Sequence, residues 1–142
     1  MRRPRRRAAL LALVLAGVAA CLDGAESPAG TLRVVLTKPP GADGAIMFTL
    51  AGPGGAGAPA TPGAGAGLVF WGAPFAGATA PPVKVLLTGA LANGQTILTF
   101  AVNDVTKASQ YSATILQVAA DDGTYAQRNV GAGSGYVLTV TR

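Results

Sequence analysis

The chain has no histidine and a single cysteine in 142 residues. Without histidine no Ser-His-Asp triad can form, and zinc loses a principal nitrogen ligand. One thiol cannot close a disulfide within the chain, so the fold must rest on its core. Charge is scarce as well, at 12% of residues. No stretch shows the apolar spacing of an amphipathic helix. No apolar run reaches the roughly 20 residues that span a bilayer as a helix.

What charge there is clusters at the start. Arg2, Arg3, Arg5, Arg6 and Arg7 precede an apolar run over residues 8–20, which ends in small residues. Basic, then apolar, then small is the layout of a secretory signal. The arginines keep its first end on the cytoplasmic side. They lack the polar and aromatic context of a twin-arginine signal, so the general secretory route is expected.

Val18-Ala19-Ala20-Cys21 closes the run. The segment resembles the signal peptide and lipobox of bacterial lipoproteins, in which an aliphatic residue and two small ones precede the cysteine. The resemblance covers about the first 22 residues. It implies that the Cys21 thiolate accepts a diacylglyceryl group, that residues 1–20 are removed, and that the new amine is acylated, with palmitate as a typical chain. Two or three acyl chains hold a protein stably, whereas one gives only marginal binding. Leu22 rather than Asp follows the cysteine, which by the same resemblance implies the outer membrane where the cell has one. One alternative is a plain signal peptide with Cys21 an incidental small residue near the cut, and a second is Cys21 as a buried free thiol in a core.

Removing residues 1–20 changes the electrostatic picture. The remainder keeps Arg33, Lys38, Lys84, Lys107, Arg128 and Arg142 against Asp23, Glu26, Asp43, Asp104, Asp121 and Asp122, and is neutral. Nucleic-acid binding needs a basic stripe that displaces phosphate counterions, and none remains. Cys21 and the small, polar residues 22–30 read as a lipidated tether that reaches at most about 30 Å when extended. Residues 31–142 have the length of one domain.

From Thr31 onward apolar residues recur at every second position, the period of a half-buried strand. The sets are Leu32, Val34 and Leu36; Ile46, Phe48 and Leu50; Val83, Val85 and Leu87; Leu98, Phe100 and Val102; Thr114, Leu116 and Val118; and Tyr136, Leu138 and Val140. Asp43-Gly44, Asn93-Gly94 and Asp122-Gly123 suit turns with positive φ, and Asn93-Gly94 predicts a hairpin. Residues 103–110 predict one helical turn capped by Asp104. The sum is an all-β fold: a single antiparallel β-sandwich of seven or eight strands, immunoglobulin-like or cohesin-like in architecture.

Candidate chemistry is thin. Residues 52–67 hold seven glycines and three prolines. Gly52-x-Gly54-x-x-Gly57 has the letters of a dinucleotide fingerprint, but Pro59 and Pro62 deny the helix that the pyrophosphate needs. A Gly/Pro/Ala-rich loop is expected over 52–67. Asp121 and Asp122, with Asn103 and Asp104, offer oxygens to calcium, yet a turn of this composition needs no ion. Ser109 and Lys107 would share a face of a strand. Asp121 and Asp122 are adjacent and do not make the spaced pair of a glycosidase. No catalytic residue, metal or cofactor is therefore expected, and a hydrolase is the weakest reading.

Phe70, Trp71 and Phe75 are the candidate ligand-binding residues. Leu68-Val69-Phe70-Trp71 cannot all face one interior. Either the strand is covered on both sides, the favoured arrangement, or Val69 and Trp71 form an exposed patch. The expected function is a membrane-anchored envelope lipoprotein presenting a non-catalytic structural or binding module. The alternative is a carbohydrate- or peptide-binding module built on these aromatics. Expected partners are the membrane, through the lipid, and an envelope protein or glycan.

Overall fold

Alternation decides the layers. Leu32, Val34 and Leu36 are fully buried while Thr31, Arg33 and Thr37 are exposed and Val35 half-buried, so β1 (Gly30–Thr37) covers a core with one face. Ile46, Phe48 and Leu50 of β2 (Asp43–Ala51) and Val83, Val85 and Leu87 of β5 (Val83–Leu91) are likewise buried, with the less buried Met47, Thr49, Lys84 and Leu86 between them. The computed structural model describes residues 28–53, 62–72 and 83–142. The signal segment, Cys21, tether residues 22–27, loop residues 54–61 and Phe75 lie outside them.

The remaining strands are β3 (Pro62–Ala64), β4 (Val69–Gly72), β6 (Gln95–Val102), β7 (Ser112–Ala120) and β8 (Val137–Thr141). They form two four-stranded antiparallel sheets, ordered β3-β6-β1-β8 and β4-β5-β2-β7, that bury the alternating sets between them. The all-β sandwich is therefore the fold. An immunoglobulin domain places its second strand beside the fifth and its third beside the sixth, and both pairings occur here. The departure is at the flanks: β7 lies beside β2, and β1 beside β6.

Local details correct the sequence reading in four places. Asn93-Gly94 does turn the chain, with Gly94 at φ +76, but β5 and β6 belong to different sheets, so it makes an arch and not a hairpin. Its Asn93 amide oxygen accepts from the Lys38 backbone N–H at 3.0 Å, and Leu36 O accepts from Gly94 N at 2.8 Å. Gly123 has the expected positive φ, whereas Gly44 does not and lies inside β2.

The β7 set has the wrong phase. Met47 faces Gln117 and Phe48 faces Ile115, so Leu116 is the extra residue of a β-bulge. The bulge resets the alternation: Val118 is buried, Ala113 and Ile115 pack on the core, and Thr114 and Leu116 are exposed. A second register shift, between Val34 and Val35, leaves Ile97 and Leu98 of β6 both buried in succession.

The Gly/Pro/Ala-rich loop is not loop throughout. Pro62–Ala64 pairs with β6 as an edge strand, and an edge strand or a strand's first residue is where a sheet tolerates proline. Gly52, far from cradling a phosphate, makes room for an aromatic ring. A Cβ there would stand 2.2 Å from Tyr111 Cδ1, and Tyr111 in turn packs on Phe100 with ring centroids 5.3 Å apart.

Residues 103–110 behave as expected. A 3-10 helix spans Val105–Gln110, and the Asp104 carboxylate accepts from the Thr106 backbone N–H at 2.9 Å. The Val105 N–H meets Pro28 O at 3.0 Å, which ties the entering chain to this pole.

β8 closes the fold by pairing with β1, the first strand. Leu138, Val140 and Tyr136 pack on the core from it. Deleting residues 136–142 should therefore abolish soluble, cooperatively melting protein, as tested by expression and thermal denaturation of the truncated chain.

Candidate functional site

Trp71 stands on the open face of a sheet. β4 is an edge strand with its inner face on the core, so its side chains divide by parity. Leu68 is buried and Phe70 half-buried against the core, while Val69 and Trp71 are 53% and 58% exposed. Burial on both sides, the favoured expectation, is overturned because nothing among the described residues covers the outer face of this sheet. Phe70 belongs to the core side and not to the exposed patch. Phase alone could not tell the two arrangements apart.

Register extends the patch across three strands. Trp71 faces Leu86 on β5, and Leu86 faces Met47 on β2. Thr88 and Thr49 flank this row on the same face. The indole N–H reaches Thr88 Oγ1 at 3.3 Å, a contact that holds the ring against the sheet. Among the described residues Lys84 is the one charged group on this face. The result is a nearly uncharged surface with a positioned aromatic ring and the Thr88 hydroxyl beside it.

A second feature escaped the sequence reading. Asp43 begins β2 with its side chain fully buried. Its Oδ2 accepts from Lys38 Nζ at 3.0 Å and from the Tyr136 hydroxyl at 2.9 Å, and its Oδ1 accepts from Arg128 Nε at 3.0 Å. Lys38 Nζ, almost as deeply buried, also donates to Pro39 O at 3.1 Å and Gly41 O at 2.6 Å. Arg128 Nη2 adds a bond to Ala42 O at 3.1 Å. No described buried side-chain polar atom is left without a partner. Two of the three Asp43 partners, Arg128 and Tyr136, stand 85 and 93 positions away along the chain, which no local motif announces.

Burial pushes the Asp43 carboxyl upward, but the hydrogen bonds from Lys38, Tyr136 and Arg128 and the Lys38 charge outweigh it. The net effect holds its pKa below the usual carboxylate value. Burial, then the bond to Asp43, pushes the Tyr136 phenol up to about 12. Proton transfer near neutrality wants a group poised close to pH 7, and these two are driven away from it in opposite directions. The cluster is a brace.

Arg128 fixes a small hairpin at this pole. Ala120 N donates to Ala126 O at 2.9 Å and Arg128 N to Val118 O at 2.8 Å, so the chain folds back along the end of β7. At its tip the Asp122 carboxylate accepts from the Thr124 N–H at 3.0 Å. Tyr125 follows at φ +52 and 72% exposed, a conformation that a bulky residue rarely adopts.

The calcium candidates are not gathered together. Asp121 and Asp122 sit at one end of β7, Asp104 and Asn103 beyond its other end. No group of three His, Cys, Asp or Glu side chains assembles among the described residues. Ser109 and Lys107 lie on the 3-10 helix and not on a strand, and Lys107 pairs with Asp104 at 3.3 Å. Among the described residues no helix is long and apolar enough to cross a membrane. Comparison with protein-family models, with curated proteins and with solved structures finds no match to this chain.

The brace predicts a stability profile with two limbs. Asp43 has a lower pKa folded than unfolded, so it stabilises the fold above its unfolded value and that support is lost as pH falls through the folded one. Tyr136 is raised, so its contribution is complete below the ordinary phenol value and is lost as pH climbs toward about 12. Asp43→Asn leaves Lys38 buried without its counter-charge and should cost about 3–5 kcal/mol. It should also flatten the acid limb, while Tyr136→Phe should flatten the alkaline one. Urea unfolding followed across pH for the three proteins checks this.

Proposed function

We propose that this chain is a lipid-anchored bacterial envelope protein that presents a non-catalytic β-sandwich, with the Trp71 face as its contact surface. The observation that carries the contact surface is the exposure of Val69 and Trp71 on a sheet face with a single charge. Large apolar groups held in water on a nearly uncharged face mark interaction sites. The anchor rests on the arginine-rich start, the apolar run and Val18-Ala19-Ala20-Cys21. By that resemblance Cys21 carries the acyl chains, and Leu22 directs the protein to the outer membrane in a cell that has two. Residues 22–29 then lead to β1, which begins at Gly30.

A neutral glycan is the ligand that the Trp71–Thr88 contact favours over a peptide. The exposed indole offers a stacking plane, and Thr88 sets a hydroxyl beside it. A sugar presents the matching pattern of apolar ring faces and hydroxyl edges. A charged ligand would find one fixed partner, Lys84.

Intact mass spectrometry of protein extracted from membranes should give a chain starting at Cys21 plus acyl groups, with that form lost in Cys21→Ser. A soluble, unlipidated product cut elsewhere would remove the anchor from this reading. Trp71 is the single tryptophan, so its fluorescence reports this face alone. Titration with neutral polysaccharides should shift that emission, and Trp71→Ala should lose retention on the same polymers. An unchanged spectrum across the polymers would eliminate the glycan.

A further inference from the structure

Of the three asparagines in the chain, Asn93 alone precedes a glycine. A glycine there has no Cβ to crowd its backbone nitrogen, so that nitrogen can reach the side-chain amide before it. Nothing stands within 4 Å of where a Gly94 Cβ would be, and both residues are exposed, so water has free access. Yet both reacting groups are occupied. The Gly94 N–H donates to Leu36 O at 2.8 Å, and the Asn93 amide oxygen accepts from the Lys38 N–H at 3.0 Å. Leu36 and Lys38 bracket the end of β1, so the arch is strapped there at two points. Ala92 N donates to Gln95 Oε1 at 2.9 Å and holds the turn from behind. Lys38 serves twice, since its amine is the group that meets Asp43 Oδ2 at 3.0 Å.

We propose that Asn93 is a latent modification site, closed to deamidation by its strapping to β1, and that Lys38 makes this closure depend on the Asp43 brace. In the reaction the Gly94 amide nitrogen gives up its proton and bonds to Asn93 Cγ. The Cγ–Nδ2 bond breaks, and ammonia leaves with that proton. Water then opens the cyclic imide at either carbonyl. One route leaves aspartate. The other leaves isoaspartate, whose backbone runs through the side-chain carbon and is longer by one atom. A nitrogen that donates to Leu36 O neither loses its proton readily nor turns toward Cγ. Closure ends when the arch lifts from β1, a local opening that need not unfold the sandwich. Isoaspartate puts Gly94 out of register with Leu36, so an arch that has reacted cannot be strapped again. The site keeps a permanent record of openings at the pole where the brace sits.

The test incubates the full chain in mildly alkaline buffer, folded and in urea, and follows the mass of the peptide that contains Asn93. In urea that peptide should gain the mass of one deamidation and split into aspartate and isoaspartate forms. In the folded chain the change should be about tenfold slower or more, because it waits for local opening. Lys38→Met keeps the backbone N–H that meets Asn93 but loses the amine, while Asp43 retains Arg128 and Tyr136. It should speed the reaction severalfold in a chain that is still folded, and Asp43→Asn should do the same. Phe100→Leu, in the core at the other pole, should not. Amide exchange at Gly94 should rise in step with the reaction in each variant. Equal rates in the folded and unfolded chain, or an Asn93 that stays intact in urea, would overturn the modification site. A rate in Lys38→Met no higher than in the unsubstituted chain, or matched by Phe100→Leu, would overturn the link through Lys38.

Discussion

Asp43 opens β2 with its carboxylate shut away from water, and a carboxylate so placed must be met by donors or it forces the strand end apart. The donors come from three separate parts of the chain. Lys38 arrives from the turn after β1, Arg128 from the segment that folds back along β7, and Tyr136 from the approach to β8. One buried oxygen pair therefore sets the loop between the first two strands, the hairpin tip and the entry of the final strand. The turn after β1 suits its part: Pro39 and Gly41 turn their carbonyls to the Lys38 amine and satisfy the protons that Asp43 does not.

The two poles of the sandwich are held by different physics. At the Asp43 pole, charge and hydrogen bonds join segments that share little apolar surface. At the other, the entering chain meets the 3-10 helix through Pro28 and Val105, and Tyr111 closes the core by lying on Phe100 and over Gly52. Between them the core is mainly aliphatic, with Phe48 and Phe100 as its largest buried side chains. Loss of the Asp43 charge acts on the first pole directly, whereas loss of a core side chain would weaken both.

Legibility followed the range of the interactions. Strands β1, β2, β5, β6 and β8 could be read because burial on one face writes a period of two into the residues themselves. The 3-10 helix could be read because its cap lies one residue before its start. β7 was misphased because the bulge at Leu116 shifts the pattern by one without any change of residue type. Asn93-Gly94 announces a turn but not which sheet receives the next strand. Exposure of Trp71 depends on no further layer covering the outer face of its sheet, which the four apolar letters do not record. The Asp43 brace was out of reach for the same reason, since Asp43, Arg128 and Tyr136 carry no local mark of one another.

β1 is placed between β6 and β8. β1 has no partner among its near neighbours in sequence, and Arg33 meets the carbonyl of Arg142 across 109 positions. Contacts of such separation form late and make folding slow. Until β6 and β8 are in place β1 has no strand on either side, so its buried face stays open while β2, β5 and β7 can already pair. The sheet that holds β1 is thus the later of the two to assemble.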